Sequence, residues 1–355
     1  MIRKDSDSGG AGGLGVLAGF VAGVLGVWCV WVGAHVGARV GFGEIALDSD
    51  GVMRGCSMVW YSDGGWVDER EVGRERDRAL VILVHGLDEP GGIWDEMGAA
   101  LDGAGFEVVR FEYPNDQRIR VSAGGFYWTV GRELGDRWMH ADIVAHSMGG
   151  LVTREALTNP ELGAGSGTLG GMFGDEHGKR GVRIGRVITV GTPHGGSSWA
   201  ALRGVAELRE RVQRFVGSED WDPRLLIGVA EDGHGEAGED LLPGSRFLTE
   251  LDARGWAEGV GLTCVVGRVV DPLAIEGLDA RARGVLDELG DGVVSVSSAV
   301  MAGCTDVVVV TGNHRGMLRT VEMEEGWRLM TGVGEVREAP AIGVVLERLK
   351  DRVQE

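Results

Sequence analysis

The sequence predicts an α/β fold with a mostly parallel central sheet and helices on both of its faces. Continuous aliphatic runs, which are typical of buried strands, alternate along the chain with stretches of helical periodicity. This alternation favours a parallel sheet. The chain has 355 residues, which is enough to bury a large core in one big domain or two.

The predicted elements follow one another from residue 80 onward. Apolar runs predict strands at 80–84, 106–111, 141–145, 187–190, 262–266 and 307–310. Helical periodicity predicts helices at 93–101, 122–138, 148–158 and 197–216, with a Gly-rich insertion at 161–181. The chain ends in a predicted amphipathic helix behind Pro340, in which apolar residues follow i, i+3, i+4, i+7 spacing from Ile342 to Leu349.

An uncharged apolar run near the N-terminus is long enough to cross a bilayer. It covers residues 14–32, and a transmembrane helix needs about 20 such residues. Arg3 and Lys4 precede the run, which predicts a cytoplasmic N-terminus and a chain body on the outer side. We favour an uncleaved membrane anchor over two alternatives, a cleaved signal segment and a soluble element.

Charge and cysteine content restrict the function classes. The formal net charge of −19 argues against a nucleic-acid partner, because such proteins normally present a basic face. The chain has four cysteines and no Cys-x-x-Cys pair, so we do not expect a zinc site. Free thiols and a disulfide both stay open for Cys56, Cys264 and Cys304.

A serine lies where a predicted strand turns into a predicted helix. The strand at 141–145 leads into Ala-His-Ser-Met-Gly-Gly at 145–150, and the helix at 148–158 follows. Small residues on either side of Ser147 permit the tight turn that exposes a nucleophilic hydroxyl. Ser147 is therefore the candidate nucleophile.

A serine nucleophile needs a base, and the base needs an acid that holds its tautomer. His314 follows the predicted strand at 307–310 and is the candidate base. Asp291 lies in a Gly-Asp-Gly turn and is the favoured acid. Asp271 follows the strand at 262–266 more closely and is the alternative acid.

Two backbone N–H groups are candidates for an oxyanion hole. Met148 follows the serine at the start of a helix, where the helix dipole also favours a negative charge. Leu87 lies in the His-Gly-Leu turn after the strand at 80–84. Loss of one such donor typically costs about 3 to 4 kcal/mol of transition-state stabilisation, so this turn matters for the chemistry.

These segments resemble the lipase and esterase branch of the α/β-hydrolase superfamily. The resemblance is carried by Val-His-Gly-Leu at 84–87, the serine turn at 145–150, Gly-Thr-Pro-His-Gly-Gly-Ser at 191–197, Asp-Leu-Leu-Pro-Gly-Ser at 240–245, Gly-Asp-Gly-Val-Val at 290–294 and His314. The segments occur in the family's order over roughly residues 79–320. One departure is Ala145, where most members have Gly.

The resemblance implies Ser147 as nucleophile, His314 as general base and acid, and Asp291 as orienting acid. It also implies Leu87 and Met148 as oxyanion donors, with no metal or organic cofactor. The expected activity is two-step hydrolysis of carboxylic esters, with a small-molecule or lipid ester as substrate. An acyltransferase or amidase would use the same triad, and a catalytically retired, membrane-tethered binding module is a further alternative.

The expected domain organisation follows from these features. Residues 1–40 are the anchor or signal segment, residues 41–78 are a lead-in with one hairpin near Met58, and residues 79–355 form the hydrolase domain. An insertion at about 197–258 is long enough to form a cap over the site. We expect a membrane-anchored protein with its catalytic domain on the extracytoplasmic side.

Overall fold

The computed structural model describes nine stretches of the chain. They are residues 55–68, 78–87, 91–135, 137–162, 167–170, 181–197, 236–271, 279–322 and 336–350. The expected anchor at 1–40, the helix expected at 197–216 and most of the expected cap lie outside them. Within the described stretches, no helix is long and apolar enough to span a bilayer.

The described residues form a nine-stranded sheet and a separate two-stranded one. The strands are β1 (Ser57–Ser62), β2 (Gly65–Val67), β3 (Leu80–Val84), β4 (Glu107–Glu112), β5 (His140–His146), β6 (Thr168–Leu169), β7 (Val182–Val190), β8 (Gly261–Arg268), β9 (Asp306–Thr311), β10 (Val321–Glu322) and β11 (Val336–Arg337). The main sheet has the order β2-β1-β4-β3-β5-β7-β8-β9, and β6 pairs with β7. The small sheet is β10 with β11.

The helices of the described residues alternate with these strands. They are α1 (Asp95–Gly103), α2 (Ile119–Leu134), α3 (Met148–Thr158), α4 (Glu236–Asp240), α5 (Arg246–Arg254), α6 (Ala280–Leu289), α7 (Val296–Ala299) and α8 (Pro340–Leu349). Short 3-10 helices lie at Gly92–Trp94 and Pro160–Leu162.

Six consecutive strands of the main sheet run parallel, from β4 through β3, β5, β7 and β8 to β9. The hairpin of β1 and β2 extends the sheet at one end, where β1 pairs antiparallel with β4. The carboxyl ends of the parallel strands therefore share one edge of the sheet, and the loops that follow these strands can converge there.

Helices cover both faces of the sheet, and each face has its own core. Alternate residues of β3 point to opposite faces, so Leu80, Ile82 and Val84 pack with α2, α3 and α5. Val81 and Leu83 pack on the other side with α1 and α8. All five residues of β3 are buried, which explains why their sequence is continuously aliphatic. The prediction of a mostly parallel α/β sheet is confirmed.

The predicted elements within the described stretches are present; β3 and α3 have the predicted ends, and the ends of the others are shifted. β7 begins at Val182 and not at 187, because its first half pairs with β5 and β6 although polar residues interrupt its sequence. α2 begins at Ile119 and ends at Leu134, four residues short of the predicted end, where Gly135 follows. Helix α5 carries an N-terminal cap, since the Ser245 hydroxyl accepts a hydrogen bond from the Leu248 N–H.

Candidate active site

Ser147 lies in the tight turn between β5 and α3. Its backbone has φ 53° and ψ −130°, in the region that non-glycine residues rarely adopt. The Ser147 N–H donates to the carbonyl of Val190 at the end of β7, at 2.9 Å, which holds the turn in place. A side chain at Gly149 would collide with the backbone carbonyl oxygens of Val84 and His85, so β3 passes directly beside the turn.

His314 reaches Ser147 from the loop that follows β9. Its Nε2 lies 2.9 Å from the Ser147 Oγ, although the two residues are 167 positions apart in the chain. Its backbone N–H donates to the carbonyl of Asp291 at 3.0 Å. The imidazole is mostly buried, with 12% of the side chain exposed.

Asp291 is the carboxylate that meets His314. Its Oδ2 lies 2.7 Å from the His314 Nδ1. Its Oδ1 accepts hydrogen bonds from the backbone N–H groups of Val293 and Val294, at 2.9 and 2.8 Å. The favoured acid, Asp291, is therefore the one whose carboxylate contacts the His314 Nδ1.

The partners determine how protons are distributed along this chain. A carboxylate only accepts, so we assign the proton between His314 and Asp291 to Nδ1 of the imidazole. The unprotonated Nε2 then accepts a hydrogen bond from the Ser147 hydroxyl. The arrangement can therefore remove a proton from Oγ while the carboxylate stabilises the imidazolium that forms.

The two backbone groups expected to bind an oxyanion flank the serine. The Met148 N–H belongs to the first residue of α3, where helix N–H groups have no partner within the helix. Leu87 follows Gly86, and a side chain added to Gly86 would approach the Ser147 Oγ to 3.1 Å. No described residue accepts a hydrogen bond from the Leu87 N–H.

Three further histidines near the site are buried, and burial lowers the pKa of each. The pKa of His85 falls to about 4 and that of His194 to about 3. The pKa of His146 lies well below the usual value, through burial and the nearby His314. All three are therefore neutral near pH 7, and the ring that contacts the serine hydroxyl is that of His314.

His146 connects the serine turn to the base. Its Nε2 lies 3.0 Å from the carbonyl oxygen of His314, so this nitrogen carries the proton and donates. The two imidazole rings lie 4.6 Å apart between centroids. This contact ties His146 to the loop of the base.

The loop at 191–197 lies against both Asp291 and His314. Gly191 has φ 58°, and a Cβ there would lie 2.9 Å from the Asp291 Oδ2 and 3.2 Å from the His314 Nδ1. The Ser197 hydroxyl donates to the carbonyl of Val293 at 2.7 Å, which joins this loop to the loop of the acid. The resemblance marked this segment, but the fit of Gly191 against the two side chains depends on the folded structure.

Sequence reasoning missed Asn115, whose side chain contacts the turn that carries Leu87. Its Nδ2 donates to the Gly86 carbonyl at 3.1 Å. The signal that could have found it is its position three residues after β4, the neighbour of β3 in the sheet. A single amide in a loop has no spacing pattern that marks it.

Comparisons with known proteins find similarity only at the level of three-dimensional structure. No protein-family model matches the chain, and no curated protein matches its sequence. The mature lipase BlEst2 of Bacillus licheniformis is 18% identical over 72% of this chain and 93% of that chain, with a TM-score of 0.46. The Staphylococcus hyicus lipase is 13% identical over 81% and 98% of the two chains, with a TM-score of 0.49. The metagenomic carboxyl esterase MGS0156 is 17% identical over 92% and 89%, also with a TM-score of 0.49.

The fold of the described residues is a mostly parallel α/β sheet with helices on both faces, which is consistent with an α/β-hydrolase. This assignment rests on the parallel sheet covered by helices on both faces and on a serine in a strained strand-to-helix turn at the carboxyl edge of that sheet. The predicted mostly parallel α/β architecture is thus confirmed for the described stretches, and most of the predicted cap lies outside them. The membrane anchor that was predicted with it lies outside them.

Proposed function

We propose that this protein is a serine hydrolase that cleaves carboxylic esters through an acyl-enzyme intermediate. The observation that supports the proposal most directly is the continuous hydrogen-bond chain from Asp291 through His314 to Ser147. Each link is at hydrogen-bonding distance without any movement of the backbone. A neutral serine hydroxyl is a weak nucleophile, and a base at this distance activates it by accepting its proton.

In the first step, the Ser147 Oγ attacks the carbonyl carbon of the ester while its proton passes to the His314 Nε2. The carbonyl oxygen becomes an oxyanion, which the N–H groups of Leu87 and Met148 stabilise. His314 then protonates the leaving alcohol as the bond between the carbonyl carbon and the alcohol oxygen breaks. The products of this step are an acyl-serine ester and a free alcohol.

In the second step, water attacks the acyl-serine carbonyl and gives a proton to His314. A second oxyanion forms in the same place, and its collapse returns the proton to Oγ and releases a carboxylic acid. The Asp291 carboxylate keeps the imidazole in the tautomer that both steps require. In the alternative activity, acyl transfer, an alcohol would replace water as the nucleophile of this step.

We further propose that residues 14–32 attach the protein to a membrane, which holds its site close to lipid. The proposed substrate is therefore a lipid or lipid-like ester. This part of the proposal rests on the sequence, in which that run is long, apolar and preceded by Arg3 and Lys4. The full chain should fractionate with membranes and resist extraction by high salt. Recovery in the high-salt soluble fraction would contradict attachment by an inserted helix.

The decisive experiment compares the wild-type protein with Ser147→Ala on p-nitrophenyl esters of increasing acyl length. We expect the substitution to lower kcat by at least about 10⁴-fold, because the covalent step is lost. The matched control is Ser297→Ala, which removes an exposed hydroxyl in the short helix α7 and should leave kcat unchanged. Addition of a competing alcohol to the assay separates hydrolysis from acyl transfer by the ratio of acid to new ester.

A Ser147→Ala protein that folds normally by circular dichroism and still hydrolyses these esters at the wild-type rate would overturn the proposal. A wild-type protein that hydrolyses none of them and forms no acyl-enzyme with an ester of any length tested would favour the binding module instead.

A further inference from the structure

The carbonyl of Gly86 is held by two side chains. The Asn115 Nδ2 donates to it at 3.1 Å, and the His85 Nδ1 lies 2.9 Å from it. Burial lowers the pKa of His85 to about 4, so its ring is neutral and the nitrogen next to the carbonyl carries the proton. The preceding carbonyl, that of His85, accepts from the Tyr113 hydroxyl at 2.7 Å.

These bonds fix the direction of the peptide unit that joins Gly86 to Leu87. A trans peptide is planar, and its C=O and N–H point in opposite directions. Donors that hold the Gly86 oxygen on one side therefore direct the Leu87 N–H to the other side. Gly86 lies directly against the Ser147 side chain, so this peptide unit adjoins the serine hydroxyl.

We infer that Asn115 is a positioning residue that directs the Leu87 N–H toward the oxyanion formed at Ser147. The inference rests on the proposed hydrolase function and adds to it a residue that touches no reacting atom. Among the described residues, the hydrogen-bond partner of the Asn115 side chain is the Gly86 carbonyl, and Asn115 acts through it.

The surroundings of the turn give Asn115 a role that His85 cannot fill by itself. Glycine has no side chain that limits rotation of its backbone, and Gly86 must be glycine because a Cβ would lie 2.6 Å from the Ser147 Cβ. The direction of the peptide unit therefore depends on external hydrogen bonds. His85 belongs to the turn itself, whereas Asn115 holds the Gly86 carbonyl from a separate segment, the loop after β4.

The test is Asn115→Asp, which replaces the amide by a group of the same shape that cannot donate and that repels the carbonyl oxygen. Removal of one oxyanion donor costs about 10²- to 10³-fold in kcat, so we expect a misdirected donor to cost about 10- to 100-fold. KM should stay within about twofold, because the substrate ground state carries no oxyanion. If Asn115 had only a structural role, the substitution would lower the melting temperature, and it would not lower kcat selectively while KM stayed constant.

A boronic acid gives a second readout. Its boron bonds to the Ser147 Oγ as the Oγ proton passes to His314, and the resulting tetrahedral adduct is negatively charged. We expect the inhibition constant of an alkylboronic acid to rise in Asn115→Asp by about the same factor by which kcat/KM falls.

The matched control is Gln117→Glu, the same exchange of amide for carboxylate two residues away. The Gln117 Nε2 donates to the Ser122 hydroxyl at 3.1 Å and does not contact the Gly86 turn. Both kcat and the boronic acid inhibition constant should stay at wild-type values in this variant. If Asn115→Asp does not fold, Asn115→Ala is measured in its place, with an expected loss at the lower end of the range.

A folded Asn115 variant with unchanged kcat and unchanged boronic acid affinity would overturn the inference, as would an equal loss in Gln117→Glu. Failure of the proposed function looks different, because the wild-type protein itself would then neither hydrolyse the esters nor bind the boronic acid.

Discussion

Asp291 and Asp271 were alternative acids at the level of sequence, since both follow the strand that became β8. The distance along the chain favoured Asp271 and the Gly-Asp-Gly turn favoured Asp291. In the structure the Asp291 Oδ2 lies 2.7 Å from the His314 Nδ1, and two backbone N–H groups hold its other oxygen. The choice between them therefore depends on how the loop after β8 folds back, which residue spacing does not specify.

We predict that Asp291→Asn lowers kcat by about 10⁴-fold, because an amide no longer holds the imidazole in the required tautomer. The matched substitution Asp271→Asn should leave kcat within about twofold of the wild-type value. Steady-state hydrolysis of a short p-nitrophenyl ester measures both. A large loss in Asp271→Asn together with an active Asp291→Asn would reverse the assignment of the acid.

The serine and the histidine were predictable because each directly follows an apolar run that can be recognised as a buried strand. The carboxyl ends of parallel strands meet at one edge of the sheet, so residues that follow these strands were expected to lie close together. Asn115 was not predictable in this way. Its role arises from a contact with a backbone carbonyl 29 residues earlier in the chain, and no pattern of residue types encodes such a contact.

At the scale of elements, the central strands and the helices α1, α2, α3 and α8 were predictable, whereas helix α6 was not. All five residues of β3 are buried aliphatic residues, so the pattern was unambiguous. Helix α6 (Ala280–Leu289) carries mostly exposed side chains, so it lacked the apolar stripe by which helices are recognised. The extra length of β7 was missed because its first half mixes exposed and buried residues at an irregular interval.

The loop after β7 gives a prediction at this scale. Gly191→Ala should lower kcat at least about tenfold, because the added methyl would lie 2.9 Å from the Asp291 Oδ2 and would displace the carboxylate or the imidazole. The positive φ of 58° adds a backbone cost of about 1 to 2 kcal/mol to folding. Steady-state kinetics and urea denaturation measure the two effects separately.

Gly259→Ala is the matched control for Gly191→Ala. Gly259 also has a positive φ, of 76°, but a Cβ there meets no atom within 4 Å. We expect it to lose a similar amount of stability and to keep its kcat. Equal kcat values for the two variants would show that Gly191 does not constrain the acid and the base.

At the scale of the whole molecule, the order of the strands could not be read from the sequence. β3 lies between β4 and β5, and β1 pairs with β4 across about 50 residues of chain. Such pairings depend on the packing of two separate cores, one on each face of the sheet. The alternation of strands and helices predicted the class of the fold, but the arrangement within that class follows from non-local contacts.

The buried histidines predict how the stability of the whole domain depends on pH. The pKa is about 4 for His85 and about 3 for His194 in the folded protein, against 6.5 for an unperturbed histidine. Below pH 6.5 the unfolded chain therefore binds protons that the folded chain does not, and the free energy of unfolding falls as the pH falls toward 4. Each such histidine contributes a loss of about 2 to 3 kcal/mol between pH 7 and pH 4.5.

Urea denaturation at pH 7 and pH 4.5 tests this dependence with His194→Gln, which removes one buried imidazole. The loss of stability between the two pH values should be smaller in this variant than in the wild-type protein. His140→Gln, at an exposed position, is the control and should keep the wild-type loss. The same pH dependence in all three proteins would contradict the assignment of His194 as a buried, neutral histidine.

The central claim is that Ser147 is a nucleophile activated by His314, and the most direct measurement is covalent labelling by a fluorophosphonate with identification of the modified residue by mass spectrometry. We predict one adduct per chain, on Ser147, that forms in the wild-type protein and in Ser297→Ala but not in Ser147→Ala. A folded wild-type protein that forms no adduct, or that is labelled on another residue at the same rate when Ser147 is replaced, would contradict the account.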